Sequence, residues 1–266
     1  MDRAALFSLI RQRQSFLCVG LDPDPERLPA SFGGDVLAFN RSVIDATRDY
    51  AVAYKPNTAF YEALGLDGMR VLRDTIDYIG TDHLIIADAK RGDIGNTSRY
   101  YAKFAFDTLG ADAITVAPYM GQDSVGPFLD YPGKWAIVLA LTSNAGADDF
   151  QHALQDGSEE PLYERVMRQV MAWGTPDRLM FVCGATRAEK FTALRRIAPD
   201  HFFLVPGIGA QGGDLAAVCR HGMNTRCGLL INSSRGILYA DEPGRAARAL
   251  QQQMRWALEK FLPEVS

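Results

Sequence analysis

The clearest candidates for chemistry are three charged residues that follow a short apolar run in the sequence His83-Leu-Ile-Ile-Ala-Asp-Ala-Lys-Arg-Gly-Asp-Ile-Gly-Asn-Thr97. The apolar run is typical of a buried parallel strand. Because side chains alternate along a strand, Asp88 and Lys90 share one face. The pattern predicts a carboxylate and an ammonium side by side at the strand end, with Asp93 opening the next loop. Taken alone, the motif also fits a solvated charge run.

Polar residues end other apolar runs in the same way, at Asp22, Lys55, Ser143 and Arg235. Individually, Lys55 fits a salt-bridged lysine and Asp22 a turn or cap residue. If the runs are strands of one barrel, their carboxyl ends meet at one mouth, where the active sites of such barrels lie. Charges of alternating sign there would offset one another's desolvation and perturb proton affinities, as catalytic groups require.

A glycine-rich segment, Pro206-Gly-Ile-Gly-Ala-Gln-Gly-Gly213, follows another apolar run. Glycines let backbone N–H groups approach an anion closely, and loops after strands seven and eight of a barrel commonly bind phosphate. Gln211 adds an amide donor, and Arg235 adds a guanidinium that can bind phosphate with two hydrogen bonds. The alternative is a flexible turn and a surface arginine. The residues alone therefore indicate a barrel enzyme acting on a small phosphorylated ligand.

Strand-like and helical patterns alternate along the chain. Eight strand candidates begin near Phe16, Val52, Leu84, Ala113, Trp135, Leu179, Phe202 and Leu229. Helical patterns cover 2–12, 37–50, 67–79, a segment through Tyr100 to Leu109, a shorter segment at 121–129, 162–173, 187–197 and 243–261. Eight alternating units predict an α/β fold, a (β/α)8 TIM barrel. An open doubly wound sheet would need a G-x-G-x-x-G after the first strand, which Gly20-Leu-Asp-Pro does not supply.

The chain shows no clear domain boundary, so residues 1–266 are expected to form a single barrel domain with an extra helix at the N-terminus. The polar stretch 144–160 is longer than a typical loop of such a barrel. It is therefore a candidate lid or insertion within that domain.

Composition excludes several functional classes. The net charge is −4 and the pI about 5.6, so no basic field recruits nucleic acid. The four cysteines lack metal-binding spacing, and a reduced structural role is expected. No apolar run approaches the roughly 18 residues of a membrane span, and the N-terminus lacks a signal-peptide pattern. These features predict a soluble, cytoplasmic protein.

The combined motifs resemble the orotidine 5′-phosphate decarboxylase family, in particular its longer bacterial subtype. The resemblance covers nearly the whole chain. The motifs that carry it are Val19-Gly-Leu-Asp22, Tyr54-Lys-Pro-Asn57, Asp88-Ala-Lys-Arg-Gly-Asp-Ile-Gly-Asn-Thr97, the Pro206–Gly213 segment and Asn232-Ser-Ser-Arg-Gly236.

The resemblance implies decarboxylation of orotidine 5′-phosphate to UMP without metal or organic cofactor. It implies that Asp88 lies against the departing carboxylate and that Lys90 stabilises and then protonates the C6 carbanion. Lys55 would hold the ribose and the charge network, and Asp22 would bind a ribose hydroxyl. The remaining substrate contacts that it implies are Ser143 for the pyrimidine and Gln211 and Arg235 for the phosphate. Pro206 is a further expected substrate contact.

The resemblance also implies a homodimer, with Asp93 and Thr97 entering the partner's active site. The chain has left the strand at Gly92, so Asp93 need not face its own barrel.

The sequence departs from compact members of the family in two places. Ser234 replaces a common glycine, although its backbone amide remains available for phosphate, and 144–160 is longer than the corresponding loop.

Two other functions fit parts of the pattern. A magnesium-dependent sugar-phosphate lyase or decarboxylase of the same barrel group would place an acid at the end of strand two, where this chain has Lys55. A non-catalytic barrel that only binds a phosphorylated metabolite would not need Asp88, Lys90 and Asp93 together.

Overall fold

Eight parallel strands form a closed barrel. The computed structural model describes residues 1–154, 157–185, 187–208 and 213–262, and within these ranges the strands pair in chain order and the last pairs with the first. They are β1 (Leu17–Leu21), β2 (Ala51–Pro56), β3 (Leu84–Arg91), β4 (Ala113–Val116), β5 (Trp135–Leu141), β6 (Leu179–Cys183), β7 (Phe202–Pro206) and β8 (Leu229–Ser233). The predicted TIM barrel is confirmed, and each predicted strand start lies within one residue of the observed one.

Helices connect the strands. The helices of the described ranges are α1 (Arg3–Arg13), α2 (Val36–Thr47), α3 (Thr58–Glu62), α4 (Gly65–Ile79), α5 (Gly95–Lys103), α6 (Gln122–Leu129), α7 (Ala147–Phe150), α8 (Leu162–Met171), α9 (Lys190–Ile197), α10 (Leu215–Gly222), α11 (Arg235–Leu238) and α12 (Pro243–Phe261). The predicted helices are present, and most boundaries shift by up to three residues. The segment predicted through Tyr100 to Leu109 is instead α5, which begins at Gly95, followed by a π-helix at Phe104–Thr108. The sequence patterns did not predict α10 or the short helices α3, α7 and α11.

The predicted extra helix, α1, lies across the amino-terminal end of the barrel. Its Asp2 caps the helix by accepting a hydrogen bond from the Ala5 backbone. Arg13 donates to the Ala51 carbonyl at the start of β2, at 2.6 Å. Trp135, at the start of β5, donates its indole N–H to the Met1 carbonyl at 2.9 Å. The helix thus covers the end opposite the mouth.

The core has the composition expected of strands buried on both faces. Every residue of β1, β2, β4, β6 and β8 is buried, and large side chains such as Tyr54, Trp135 and Phe181 are fully inaccessible. Burial of this apolar surface is the main stabilising contribution to such a domain. The charged residues within the strands are Lys55 on β2 and Asp88, Lys90 and Arg91 on β3, toward the carboxyl ends. In the described part of the chain, every helix is too short or too polar to cross a membrane.

Candidate active site

A cavity of about 430 Å³ opens at the carboxyl ends of the strands. Its apolar wall includes Leu139, Val182 and Leu204. Pro206 also lines the cavity. The polar residues of the lining are Lys55, Asp88, Lys90, Thr115, Thr142, Ser143, Asn144, Gln151 and Asn232. A mostly apolar cavity with a few converging charges is the usual form of a small-molecule site.

Asp88 lies between two ammonium groups. Lys55 Nζ, from β2, is 2.7 Å from Asp88 Oδ2, and Lys90 Nζ is 2.6 Å from Asp88 Oδ1. The side chains of Lys55 and Asp88 are only 6% and 9% exposed, whereas Lys90 is 50% exposed. Lys55 therefore belongs to the barrel interior, while Lys90 reaches from the charge cluster into the cavity.

The electrostatics of the cluster favour the charged forms of Asp88 and Lys55. Burial alone would raise the pKa of Asp88, but the charges of Lys55 and Lys90 outweigh it and hold that pKa well below its ordinary value. Burial likewise opposes the charge on Lys55, yet Asp88 and Asp22 raise its pKa above the ordinary lysine value. The result is a desolvated carboxylate that carries two cations in fixed positions.

Asp22 extends this cluster toward β8. Its Oδ1 is 4.0 Å from Lys55 Nζ, and its Oδ2 accepts a 2.6 Å hydrogen bond from the Ser234 hydroxyl. Oδ1 is buried and accepts no hydrogen bond from the described residues. Because a buried carboxylate oxygen retains unused acceptor capacity, Asp22 is able to accept a hydrogen bond from a ligand hydroxyl.

Asp93 and Thr97 are outside the set of residues that line the cavity within one chain. The Asp93 carboxylate accepts a hydrogen bond from the Ile94 backbone at 2.7 Å, and Thr97 is exposed on α5. Several large apolar side chains are exposed on α5 and on the loops beside these residues. They are Ile94 (58%), Tyr100 (67%), Tyr119 (91%) and Met120 (46%).

The three substrate contacts expected after β7 and β8 are only partly described. Pro206 lines the cavity at the end of β7. Arg235 is exposed at the first residue of α11, directly after β8. Gln211 lies outside the described residues. Two of the three therefore lie at the carboxyl ends of adjacent strands, as a shared ligand would require.

Comparison with known proteins identifies the family. A model of the orotidine 5′-phosphate decarboxylase / HUMPS family matches residues 15–250. The chain belongs to this family. A curated orotidine 5′-phosphate decarboxylase of Bacteroides fragilis is 50% identical over 275 residues, covering 98% of this chain and 100% of the relative. The resemblance inferred from the motifs is thereby confirmed.

Solved structures agree with the family assignment. The structure of Leishmania donovani OMP decarboxylase has a TM-score of 0.86 and 38% identity, covering 97% of this chain and 99% of that chain. The structure of Leishmania donovani UMP synthase has a TM-score of 0.87 and 40% identity. That match covers 94% of this chain but 56% of the UMP synthase chain.

Several polar residues of this family member were not singled out from the sequence. Thr115, on β4, donates to Asp88 Oδ1 at 2.9 Å. Gln151 and Asn232 line the cavity. The available signal for Thr115 was a polar residue inside a buried apolar strand. For Gln151 the sequence offered none beyond its position in the long 144–160 stretch.

The start of that long stretch is attached to the cavity wall. Gln151 Oε1 accepts from the Thr142 backbone and Gln151 Nε2 donates to the Thr142 hydroxyl, both at 2.8 Å. Ser143 and Asn144 line the cavity next to this pair. The segment that follows β5 therefore folds back against the site through α7.

Proposed function

We propose that this protein decarboxylates orotidine 5′-phosphate to UMP and CO2, the last step of de novo pyrimidine nucleotide synthesis, through a C6 carbanion stabilised by Lys90. The observation that carries the proposal is the desolvated Asp88 carboxylate, with Lys55 and Lys90 at 2.7 and 2.6 Å. Family membership supports the same reaction.

In the proposed reaction, the bond from C6 to the substrate carboxylate breaks, CO2 leaves, and the electron pair remains on C6. Lys90 provides the nearby positive charge and then the proton that forms the C6–H bond. Asp88 lies against the departing carboxylate. Fixed charges in a site from which water is excluded stabilise such an ion strongly because they need no reorganisation.

The other predicted residues bind the remainder of the substrate. Lys55 and Asp22 are assigned to the ribose hydroxyls, which agrees with the free acceptor oxygen of Asp22. Ser143 is assigned to the pyrimidine. Gln211 and Arg235 are assigned to the phosphate group, and Pro206 is a further proposed substrate contact. Binding energy from a distant phosphate can be used to orient the ring for reaction.

The charge pattern disfavours the magnesium-dependent alternative. Lys55 occupies the strand end at which such enzymes place a metal-binding acid, and it is buried with its positive charge intact. Asp88 is already bonded by two cations. A divalent cation there would be repelled at short range.

We further propose a homodimer in which Asp93 and Thr97 complete the partner's site. The loops that follow β3 and β4 lie together, since the Ala117 backbone donates to the Arg91 carbonyl at 2.8 Å. These loops expose the side chains of Ile94, Tyr119 and Met120, and α5 exposes that of Tyr100. A contiguous apolar surface of this kind favours association with another chain.

The 144–160 stretch is proposed to act as a lid over the pyrimidine. Support comes from the paired hydrogen bonds between Gln151 and Thr142 and from the exposed Phe150, which is 67% accessible at the end of α7. In this arrangement the lid is connected to the cavity wall beside Ser143.

The first experiment measures the loss of orotidine 5′-phosphate absorbance with purified protein in excess EDTA. We expect turnover by the wild type and by Lys260→Ala, a matched change of an exposed lysine on α12, and none by Lys90→Ala. A folded wild-type protein without turnover would contradict the proposal. Magnesium with sugar phosphates would then be tested in the same assay.

A further inference from the structure

The β3–β4 ladder is interrupted at the charge cluster. Ala87 pairs with Ile114 and Arg91 pairs with Val116. Three residues of β3, 88–90, therefore lie opposite the single residue Thr115 of β4. A bulge of this kind leaves backbone groups without ladder partners and redirects side chains.

The backbone conformation at the bulge is also unusual. Lys90 has φ +48°, a left-handed conformation that few residues other than glycine adopt, at a cost of order 1–3 kcal/mol. Such strain persists only where neighbouring groups hold the backbone in place. The geometry therefore requires a partner that fixes Lys90 from outside β3.

Thr115 is that partner. Its hydroxyl oxygen accepts a hydrogen bond from the Lys90 backbone N–H at 2.9 Å, and its hydroxyl hydrogen is donated to Asp88 Oδ1, also at 2.9 Å. The residue is 1% exposed. One hydroxyl thus satisfies the N–H left free by the bulge and fixes one oxygen of the central carboxylate.

Both oxygens of Asp88 are then committed. Oδ1 accepts from Thr115 and Lys90, and Oδ2 accepts from Lys55. Without the hydroxyl, the Asp88 carboxylate loses one of its three hydrogen-bond donors and the partly buried Lys90 N–H loses its acceptor. Asp88 and Lys90 would then shift relative to a bound substrate.

We propose that Thr115 is a positioning residue for the reaction, which fixes the Asp88 carboxylate and the Lys90 backbone through one hydroxyl group. This inference rests on the proposed decarboxylase function. Thr115 acts on the groups that touch the reacting atoms, so its loss should slow chemistry more than it weakens binding. Small displacements of reacting groups are known to cost up to about 100-fold in rate.

The test compares Thr115→Val, which keeps the shape without the hydroxyl, with Thr115→Ser, which keeps the hydroxyl. We expect Val to lower kcat by about 10- to 100-fold. KM and the affinity for UMP should change by less than about threefold, and Ser should restore most of kcat. Equal loss in both variants, or an unchanged kcat in Thr115→Val, would overturn the proposal.

If the Val variant does not fold, Thr115→Ala replaces it, because Ala and Ser differ only by the hydroxyl oxygen. Thermal unfolding of each variant shows that it is folded before kinetics are compared. The wild type in the same assay separates the two proposals. Lack of wild-type turnover refutes the decarboxylase function, whereas wild-type turnover with an active Val variant refutes only the role of Thr115.

Discussion

Replacing Lys55 by methionine removes one buried charge at nearly constant volume. Lys55 Nζ lies 2.7 Å from Asp88 and 4.0 Å from Asp22, and its side chain is 6% exposed. The variant leaves Asp88 with Lys90 as its only cation within 4 Å in the described part of the chain. Asp22 loses its only such cation there.

The magnitude follows from burial. Removing one partner of a buried ion pair costs about 3–5 kcal/mol because the other charge stays desolvated. Lys90 still compensates Asp88 from a half-exposed position, so we expect the lower end, about 3 kcal/mol. At roughly 2–4 °C per kcal/mol for a chain of this size, Tm should fall by about 6–12 °C.

Lys90→Met is the matched control, since it removes the other cation from the same carboxylate. Because half of the Lys90 side chain is exposed, its ion pair contributes at most about 1 kcal/mol to stability. Both variants should lose decarboxylase activity, but only Lys55→Met should lose substantial stability.

The defect should also depend on pH. In the wild type, burial alone would raise the pKa of Asp88, but Lys55 and Lys90 lower it below the ordinary value. A carboxyl with a depressed folded pKa stabilises the fold above its unfolded pKa and loses this contribution as the pH falls. Lys55→Met raises the pKa of Asp88 in the folded protein, so protonation of Asp88 costs the variant less stability than it costs the wild type. The difference in free energy of unfolding between the two proteins should therefore shrink as the pH falls from about 5 toward 3.

Urea unfolding followed by tryptophan fluorescence at several pH values measures both effects. Equal stability of Lys55→Met and Lys90→Met at pH 7 would refute the assignment of Lys55 to a buried, stability-bearing position. A difference from the wild type that stays constant with pH would refute the electrostatic explanation.

Three further predictions concern the substrate and the dimer. Mixing Asp93→Ala with Lys90→Ala chains should restore part of the activity. In the mixed dimer, one site combines Lys90 of the first chain with Asp93 of the second and is intact. No recovery despite proven subunit exchange would exclude shared sites. Arg235→Ala should raise KM for orotidine 5′-phosphate by about 10- to 100-fold through loss of a charge-assisted hydrogen bond, and an unchanged KM in steady-state kinetics would remove Arg235 from the phosphate site. Gln151→Ala breaks both hydrogen bonds to Thr142. It should increase proteolysis within 144–160 and lower kcat/KM. Proteolysis and kcat/KM equal to those of the wild type would exclude this attachment of the lid.

The barrel fold could be predicted from the sequence because parallel strands that are buried on both faces appear as short apolar runs. The eight predicted starts match the observed strands within one residue. The helix α10 and the short helices α3, α7 and α11 were missed, since short segments in loops are stabilised by tertiary packing more than by their own periodicity.

The contact between Asp88 and Lys90 was predictable because strand alternation is a local property. Lys55 was predictable in part, since the ends of adjacent parallel strands meet. The roles assigned to all the site residues are predictions. Asp93 and Thr97 lie outside the cavity lining of one chain, and Gln211 lies outside the described residues.

Only the tertiary structure decided how the charge cluster is held. Thr115 meets Asp88 and Lys90 because the β3–β4 register slips at the bulge. Ser234 reaches Asp22 across 212 residues of sequence. The sequence determined which chemical groups reach the mouth of the barrel, because strand periodicity and strand ends are local. Which hydroxyl orients each carboxylate depends on register and barrel closure, which are set by packing between distant segments.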